Sequence, residues 1–488
     1  MSYNILGINP GHNGSACLVS DGELKYYLEE ERLSRMKYDG NPFKSMVDIM
    51  SKYHVDELVI VGTHPEHPIL PWTMEDVYTG LVRKYYPEVK TTILGQEHHL
   101  THASIAFYNS GFKKAIAVIV DGAGTYKDIS MNEEGSVKAK GCETESVTNY
   151  LGFSFLEAGK TMGLSSYGKE NNDIPQLFKD NRASKDIFIP DYPRGAYIDD
   201  QSNPIFKRNR DPRNFHRNFN EVLDIEKAGG YGLNCVANYY LQKRFPKIDL
   251  YCEPISHDGG TAIGGAKLSW HERTQDKTIR PQTSLYYGPK YGENQLRSAA
   301  KSVENNYNTY VGNAKSVAEL LSENKIVAIY QGSSEAGPRA LGNRSILYNP
   351  TDPNGKDFVN EVKGREWFRP FAGTVLEEDA NDWFDFAGMK GSPFMMYAVN
   401  VKQDKIPAIT HVDGTCRIQT VNEKQNKNYY NVINEFKNIT GTPIVFNTSF
   451  NLAGQPLVET IEDAIQTLEN SDIKYLYLPE IEIILEKK

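Results

Sequence analysis

Short apolar runs that end at glycine turns and alternate with helix-like segments constrain the fold of this chain more than any other feature. Tyr3–Gly7 and Glu57–Val61 are such runs, and Pro42–His54 between them has the pattern of a helix. The clearest run is Ala115–Val120 (AIAVIV), which leads directly into Asp121-Gly122-Ala123-Gly124. Buried strands interleaved with helices indicate an α/β fold.

Further strands follow the same alternation. Ala16–Val19 and Leu24–Glu29 predict a hairpin around a Ser-Asp-Gly turn. In the second half, Ile326–Tyr330 and Pro443–Phe446 predict strands, and Ile461–Glu469 predicts a helix. Strand-like segments at 474–478 and 481–485 close the chain, and a helix is expected at 317–321.

Two domains are expected, because 488 residues exceed what one hydrophobic core usually serves. Apolar periodicity is lost between Tyr287 and Asn308, which predicts a boundary and domains at 1–300 and 310–488. Asn171–Asn220 is polar, contains prolines and has weak periodicity, so we expect an insertion in the first domain or a long surface loop.

Composition narrows the functional classes. The formal charge is −9, which argues against polymeric nucleic acid as a partner, although Phe206–Asn218 is locally basic. Five scattered cysteines without CxxC pairing argue against a disulfide framework or a structural zinc site. The chain contains no apolar run of about 18 residues and starts without a signal-like core, so we expect no membrane span and a cytoplasmic location.

Histidines and aspartates predict a metal site. His98 and His102 are four residues apart and project from the same side of a helix, as two ligands of one ion would. Asp121 ends the AIAVIV run and Asp258 lies before two glycines, which adds carboxylates suited to Fe²⁺, Mn²⁺ or Zn²⁺. The alternatives are solvent-facing histidines and aspartates that cap turns.

Three glycine loops suit phosphate groups, because glycine lets backbone N–H groups approach phosphate oxygens closely. The loops are Gly7–Ser15, Asp121–Gly124 and Gly259–Gly265, and tight turns are the alternative explanation. Their order resembles the nucleotide fold shared by actin, sugar kinases and chaperone ATPases. His12 lies in the first loop and suits a general base, or else a hydrogen bond within its own turn.

Cations concentrate between Ser333 and Phe371, at Arg339, Arg344, Lys356, Lys363, Arg365 and Arg369. Glu335/Arg339 and Glu361/Arg365 would pair along a helix, and such a solvated face is one alternative. Glycines and prolines interrupt the segment, which favours rigid turns that aim guanidinium groups at an anion. Arg417, Asn447 and Ser449 extend this candidate pocket, while Arg344, Lys356 and Arg365 are expected only to brace its loops or to pair with acids.

Nine sequence blocks together resemble the O-carbamoyltransferases of the nodulation and antibiotic-tailoring type. The blocks are GINPGHNGSA, HHLTHA, VDGAG, EAGKTMGLSSYG, SHDGGTAIGGA, GPRALGNRSIL, VKGREWFRPFAG, HVDGTCRIQT and FNTSFNLAGQP. They stand in the family's order from Gly7 to Pro456, although SSYG replaces a more usual APYG-like run.

The resemblance implies an actin-like N-terminal domain similar to tRNA threonylcarbamoyl-transferases and a YrdC-like C-terminal domain. The second domain would make carbamoyl-adenylate from carbamoyl phosphate and ATP with Mg²⁺, and the first would transfer the carbamoyl group to a hydroxyl acceptor. The resemblance implies His98, His102, Asp121 and Asp258 as ligands of a metal, usually iron, with His12 and Lys160 as catalytic residues.

The same resemblance implies the substrate-binding residues. The nucleotide set is Gly11, Gly122, Gly124, Glu157, Gly163, Gly168, Gly259 and Gly260. The carbamoyl phosphate set is Arg339, Lys363, Arg369, Arg417, Asn447 and Ser449.

Two other functions and the choice of acceptor stay open at this point. The chain also suits a threonylcarbamoyladenosine-type tRNA enzyme or a non-catalytic nucleotide-binding protein with the actin fold. Sugars, natural products and hydroxymethyl-pyrimidine nucleotides all offer the acceptor hydroxyl. The basic run from Lys207 to Arg217 suits a phosphorylated acceptor, and a solvated loop is the alternative.

Overall fold

The computed structural model describes residues 2–62, 74–95, 97–115 and 230–488, together with the single positions 117, 119, 160, 164, 166 and 167. This part of the chain is a mixed α/β protein with several sheets. The predictions of a strand at Ala115–Val120 and of an insertion at Asn171–Asn220 lie wholly or largely outside these residues. The proposed division into two domains also stays a prediction.

The first sheet has five strands in the order β3-β2-β1-β4-β5. Their bounds are β1 Asn4–Asn9, β2 Ser15–Ser20, β3 Glu23–Glu29, β4 Glu57–Val61 and β5 Lys90–Leu94. β1, β2 and β3 are antiparallel neighbours, whereas β4 is parallel to β1 and β5 is parallel to β4. The predicted hairpin is confirmed, and its turn has positive φ at Asp21 (48°) and Gly22 (81°).

Helices cover both faces of this sheet. Their bounds are α1 Glu30–Ser34, α2 Phe43–Lys52, α3 Met74–Tyr85, α4 His98–Ser110 and α6 Thr261–Thr274, whereas α5 Cys235–Arg244 packs against residues of the second half. On one face, Leu6 of β1 belongs to the same buried cluster as Met46 of α2 and Val82 of α3. On the other face, Ile5 clusters with Ile105 of α4 and with residues of α6. Alternation along β1 therefore produces two apolar faces, as a sheet between two helical layers requires.

Two glycines allow α6 to approach its neighbours closely. A Cβ on Gly264 would lie 2.0 Å from the carbonyl oxygen of Thr101 in α4, and one on Gly7 of β1 would lie 2.3 Å from that of Ala262. Residues with a side chain cannot occupy these positions without moving the backbone. The close contact between α4 and α6 brings the histidine-bearing helix towards the Asp258 loop.

The second half contains a ten-stranded sheet in the order β12-β13-β14-β11-β15-β10-β8-β16-β17-β7 and a two-stranded sheet of β6 and β9. The bounds are β6 Tyr286–Lys290, β7 Tyr307–Val311, β8 Val327–Tyr330, β9 Ser333–Glu335, β10 Arg344–Tyr348, β11 Ala372–Leu376, β12 Phe384–Asp385, β13 Ala398–Val401, β14 Thr415–Val421, β15 Ile444–Ser449, β16 Tyr475–Leu478 and β17 Ile483–Lys487. The four strands predicted in this half are confirmed within two residues at each boundary, except that β15 ends three residues later than predicted.

The large sheet also lies between two helical layers. Its helices are α7 Glu293–Ser302, α8 Ala314–Ser322, α9 Gly355–Lys363, α10 Ala380–Trp383, α11 Lys427–Thr440 and α12 Ile461–Glu469. Residues of α8 and α11 cluster with Val327 and Leu347 on one face, and residues of α7 and α12 cluster with Ala328 and Ile346 on the other. Among the described helices, none is long and apolar enough to cross a membrane.

The alternative of a salt-bridged helix face in the cationic segment is wrong. Glu335 ends strand β9 and Arg339 follows in a turn, so the two do not share a helix. Glu361 belongs to α9, but that helix ends at Lys363 and Gly364 adopts φ 62°, which turns the chain before Arg365. The glycines therefore break the helical spacing on which the pairing depends.

Candidate functional site

The predicted pair of histidines lies on a helix and faces a carboxylate. His98 and His102 belong to the first turns of α4 and are 8% and 3% exposed. Nε2 of His102 lies 3.6 Å from Oδ1 of Asp258, and Nε2 of His98 lies 4.0 Å from the same oxygen. Asp258 begins a 3-10 turn that leads into α6, so a helix start rather than a strand end supplies this carboxylate.

This cluster fits a divalent metal ion. One ligand atom from each of His98, His102 and Asp258 lies within 4.8 Å of the other two, so small movements would place all three around one ion. Two imidazole nitrogens and a carboxylate suit Fe²⁺, Mn²⁺ or Zn²⁺. The fourth predicted ligand, Asp121, lies outside the described residues.

His12 lies beside the same carboxylate. Its Nδ1 is 3.3 Å from Oδ2 of Asp258, and its side chain is 45% exposed. The surrounding loop is fixed from outside, because the N–H groups of Gly11 and Gly14 donate to the carbonyls of Gly40 and Asp39 at 2.8 Å. His12 therefore has an orienting carboxylate on one side and solvent access on the other, which suits proton transfer.

Lys160 contacts the second half of the chain. Its Nζ lies 2.6 Å from Oε1 of Glu366, and Glu366 also lies 3.7 Å from Arg369. Burial alone would raise the pKa of Glu366, but the hydrogen bond from Lys160 lowers it below its usual value. Tyr167, seven residues further on, accepts a hydrogen bond of 2.7 Å from Lys356. These contacts place part of the EAGKTMGLSSYG block next to the cationic segment.

Five cations of the second half form one cluster, which we call the cationic pocket: Arg339, Lys363, Arg365, Arg369 and Arg417. Burial, followed by the charge of Arg417, lowers the pKa of Arg339 to about 9. Burial and Arg369 lower the pKa of Arg365 to about 9, and burial with Arg365 and Arg369 lowers the pKa of Lys363 well below its ordinary value. Cations that repel each other in a desolvated place favour a bound anion.

Two guanidinium groups of this pocket have unused donors. The Nε atoms of Arg339 and Arg417 are buried and have no hydrogen-bond partner among the residues that the structure describes. A buried N–H without an acceptor is costly, so an oxygen-rich ligand would stabilise both groups.

The sheet register places Asn447 on the same face of the sheet as Arg417, with β11 between their two strands. Ala372 of β11 pairs with Arg417 on one side and with Asn447 on the other, so the three side chains project from the same face. The amide nitrogen of Asn447 donates to Thr374 Oγ1 at 3.0 Å and to Gln419 Oε1 at 3.3 Å. Its Oδ1 is buried without a donor in the described part of the chain, so it is available to accept from a ligand N–H.

Lys363 is anchored at the end of β15. Its Nζ donates to the carbonyl oxygen of Ser449 and lies 3.4 Å from the hydroxyl oxygens of Ser449 and Thr448 and 3.3 Å from Oδ1 of Asn451. Lys363 is 2% exposed. The structure therefore brings Arg339, Lys363, Arg369, Arg417, Asn447 and Ser449 into one region, while their role in binding carbamoyl phosphate stays a prediction.

Several residues that shape this region were not recognised in the sequence. Oε1 of Glu335 accepts hydrogen bonds from the backbone N–H groups of Leu341 and Asn343 at 2.8 Å and from that of Arg344 at 3.1 Å. Thr374, Gln419 and Tyr429 orient Asn447 through a buried chain of hydrogen bonds. The available signal was a polar residue in an otherwise apolar buried strand, as Thr374 is in AGTVL.

Arg344 is a structural residue, as expected. It is fully buried, lies 3.9 Å from Glu459 and stacks over the ring of Tyr330 at 3.8 Å. Its guanidinium donates to the carbonyls of Gln331 and Gly332, so it holds the cationic segment to strand β8. Arg365 belongs instead to the pocket, because burial and then the charges of Arg369 and Arg417 lower its pKa.

Most of the nucleotide set lies beyond the described residues. Gly122, Gly124, Glu157, Gly163 and Gly168 fall there, as does the basic run from Lys207 to Arg217. Gly11 lies in the His12 loop, and Gly259 and Gly260 form the 3-10 turn after His257. A nucleotide role for these three glycines stays a prediction.

Comparison with known proteins relates both halves of the chain to one group. A family model described as carbamoyltransferase C-terminus matches residues 318–485. Nodulation protein NolNO of Sinorhizobium fredii is 31% identical over 95% of this chain and 77% of its own length. Nodulation protein NolO of Bradyrhizobium diazoefficiens is 32% identical over 77% of this chain and 76% of its own length. An uncharacterised protein of Methanocaldococcus jannaschii is 34% identical over 78% and 72% of the two chains.

Proposed function

Since the chain belongs to the O-carbamoyltransferase family and is a carbamoyl-transferring enzyme, we propose that it uses ATP and carbamoyl phosphate to carbamoylate a hydroxyl of a small molecule. Carbamoyl-adenylate is the activated intermediate in this proposal. The observation that carries it is the cationic pocket with the unpaired oxygen of Asn447 beside it.

The pocket suits both ends of carbamoyl phosphate. The phosphate group is a dianion, and the Nε donors of Arg339 and Arg417 offer it charge-assisted hydrogen bonds. The carbamoyl NH₂ group needs an acceptor, which Oδ1 of Asn447 supplies. Inorganic phosphate alone would leave the Asn447 oxygen without a donor. The arginine donors and this acceptor together therefore favour carbamoyl phosphate as the ligand.

The balance of the first reaction requires two products besides the adenylate. Water cleaves carbamoyl phosphate to carbamate and phosphate, and a carbamate oxygen then attacks the α-phosphorus of ATP and releases pyrophosphate. Carbamate, the species formed between these two steps, is a small anion, and the cationic pocket can retain it. Lys160 lies beside Glu366 at this pocket and suits the neutralisation of a phosphate of the nucleotide.

The second reaction would take place at the His98/His102/Asp258 cluster. His12 removes the proton from the acceptor hydroxyl, whose oxygen attacks the carbamoyl carbon while AMP leaves. A divalent ion, in our proposal Fe²⁺, Mn²⁺ or Zn²⁺, would supply stabilisation of the charge that develops on the leaving phosphate. The strand order β3-β2-β1-β4-β5 around this cluster supports the expectation of an actin-like domain.

The test is to mix the protein with ATP, Mg²⁺ and carbamoyl phosphate and to measure pyrophosphate and carbamoyl-AMP. We expect both products, and Arg417→Gln should abolish them. Lys356→Met is a control, because Lys356 contacts Tyr167 outside the set that holds the anion. Absence of the adenylate would refute the proposal. Adenylate formation from bicarbonate and threonine instead would favour the tRNA-modifying alternative.

A further inference from the structure

One buried arginine of the first half contacts the loop that leads into the cationic pocket. Arg32 lies in α1 and is 3% exposed. Its Nη2 donates to the carbonyl oxygen of Gly337 at 2.7 Å, and its Nη1 donates to that of Glu335 at 3.4 Å. Gly337 has φ 83° and lies two residues before Arg339. The guanidinium group of Arg32 therefore holds the turn that precedes Arg339 and so helps to position this cation of the pocket.

The same arginine is linked to the metal-binding cluster through Glu29. Glu29 ends β3, is 4% exposed and lies 4.0 Å from Nη2 of Arg32. Its other oxygen lies 3.2 Å from Nε2 of His257, the residue before Asp258. Burial opposes ionisation of Glu29, but His257 and Arg32 outweigh it and lower its pKa to about 2.

His257 connects this ion pair to the geometry of the cluster. Its Nδ1 accepts a hydrogen bond of 3.0 Å from the N–H of Gly259, and its Nε2 on the other side of the ring lies 3.2 Å from Oε1 of Glu29. Asp258 lies between these two hydrogen-bonded residues. A shift of Glu29 would therefore move the backbone that carries the Asp258 carboxylate.

We propose that Arg32 is a positioning residue that couples the two sites, so that an anion in the cationic pocket changes the metal affinity of the His98/His102/Asp258 cluster. The names of the two natural ligands rest on the proposed function, but the coupling itself rests on the contacts of Arg32, Glu29 and His257. A transfer site that responds to the loaded donor pocket would limit loss of a labile intermediate to water.

The chemistry of the guanidinium group explains why arginine occupies this position. Its planar fork serves two carbonyl groups of one turn while it faces a carboxylate on the other side, which a lysine ammonium cannot reproduce. If the Glu335–Arg339 turn moved towards a bound anion, the guanidinium group of Arg32 would move with it, because it is hydrogen-bonded to that turn. By linkage, a metal ion must then change anion affinity by the same factor.

The test measures binding in the full-length protein, with Mn²⁺ and sulfate as probes and no turnover. Free Mn²⁺ is counted by electron paramagnetic resonance with and without saturating sulfate, and sulfate binding is measured by calorimetry with and without Mn²⁺. We expect sulfate to change the Mn²⁺ affinity of the unmodified protein at least about fivefold. In Arg32→Lys and in Glu29→Gln, sulfate should leave the Mn²⁺ affinity almost unchanged.

Arg35→Lys is the matched control. Arg35 directly follows α1 and also reaches the second half, where it donates to Leu457 and Pro456 and lies 3.4 Å from Asp463. It touches neither the Gly337 turn nor Glu29, so its variant should keep the full coupling. Thermal unfolding of every variant separates coupling from folding, and Glu29→Gln, which preserves shape, serves if Arg32→Lys does not fold.

Three outcomes distinguish this inference from the proposed function. Equal Mn²⁺ affinity with and without sulfate in the unmodified protein overturns the coupling, as does full coupling in both Arg32→Lys and Glu29→Gln. Loss of coupling in Arg35→Lys as well would assign the effect to general contact between the two halves. Adenylate formation is measured separately, so its absence would refute the proposed function without deciding the coupling.

Discussion

Lys363 shows how single residues of the pocket combine stability with function. It is buried at the end of β15 and its nearest charged neighbours, Arg365 and Arg369, are also cations. Desolvated like charges destabilise the empty protein, and an anion offsets that cost. Residues of this kind are selected for binding rather than for the stability of the fold.

The first prediction concerns Arg365. Replacement by methionine should raise the free energy of unfolding by about 1 kcal/mol in anion-free buffer, because a mostly buried charge is removed from among like charges. Denaturant titration with and without sulfate measures this change, and the stabilisation by sulfate should shrink in the variant. Arg344→Met is the control, since loss of the partner of buried Glu459 should cost about 3 kcal/mol. Equal destabilisation by both substitutions would contradict this explanation.

The pH dependence of anion binding provides a second prediction. An anion binds the protonated cation more tightly, so affinity is complete below the pKa of the empty site and is lost as pH rises through it. Burial lowers the pKa of Lys363 well below that of an ordinary lysine and those of Arg339 and Arg365 to about 9, so the pocket should lose positive charge, and with it anion affinity, as these groups deprotonate with rising pH. Sulfate does not titrate in this range, and its affinity should fall up to about tenfold per pH unit.

Lys363→Met tests the assignment of that titration. Calorimetric titration with sulfate should give weaker binding but a flat pH profile until Arg339 and Arg365 lose charge near pH 9. An unchanged slope in this variant would mean that another group titrates.

At the level of secondary structure, the contact between α4 and α6 decides whether the predicted metal ligands meet. His98 and His102 belong to α4, whereas Asp258 stands just before α6. Gly264 permits the close approach, because the Thr101 carbonyl occupies the space of its missing side chain. The glycines after Asp258 therefore have a packing role in addition to any contact with a nucleotide.

Gly264→Ala is the corresponding third prediction. The added methyl group would lie 2.0 Å from the Thr101 oxygen, so α6 must move away from α4. We expect a loss of about 1–3 kcal/mol of stability and at least about tenfold weaker Mn²⁺ binding. Gly80→Ala in α3 is the matched control, because no atom lies within 4 Å of its added Cβ. That variant should be slightly stabilised and should bind Mn²⁺ normally.

The helix boundaries were predicted accurately where capping residues or apolar periodicity marked them clearly in the sequence. Helix α12 begins and ends as predicted, since Thr460 and Asp463 form a capping box at its start. Helix α8 begins three residues before its predicted start, because Asn313 caps it by accepting from the N–H of Ser316. The apolar pattern revealed the body of this helix but not its polar first turn.

Across the whole molecule, the two candidate sites draw on different parts of the chain, and we assign a different step to each. His12 belongs to the first half and lies beside Asp258, whereas the cationic pocket belongs to the second half. Lys160 and Arg32 each contact that second half from the first. The proposed division of labour therefore predicts that the two reactions can be separated by mutation.

His12→Asn is the fourth prediction. It should keep pyrophosphate release and carbamoyl-AMP formation but slow transfer at least about a hundredfold, because it removes the base that we propose for the hydroxyl proton. Mass spectrometry over a panel of sugars and hydroxymethyl-pyrimidine nucleotides measures the carbamoylated product. Loss of both activities in this variant would contradict the division of labour.

The sequence by itself determined the α/β class, the hairpin of the first sheet and the histidine spacing on α4, because these depend on local periodicity and spacing, and it predicted every cation of the pocket except Arg365. Tertiary structure alone decided which of these features meet. Asp258 reaches the histidines through the α4–α6 contact, and Asn447 joins Arg417 through the register of β15, β11 and β14. Arg32 contacts a turn about 300 residues away, and no local pattern encodes such a contact.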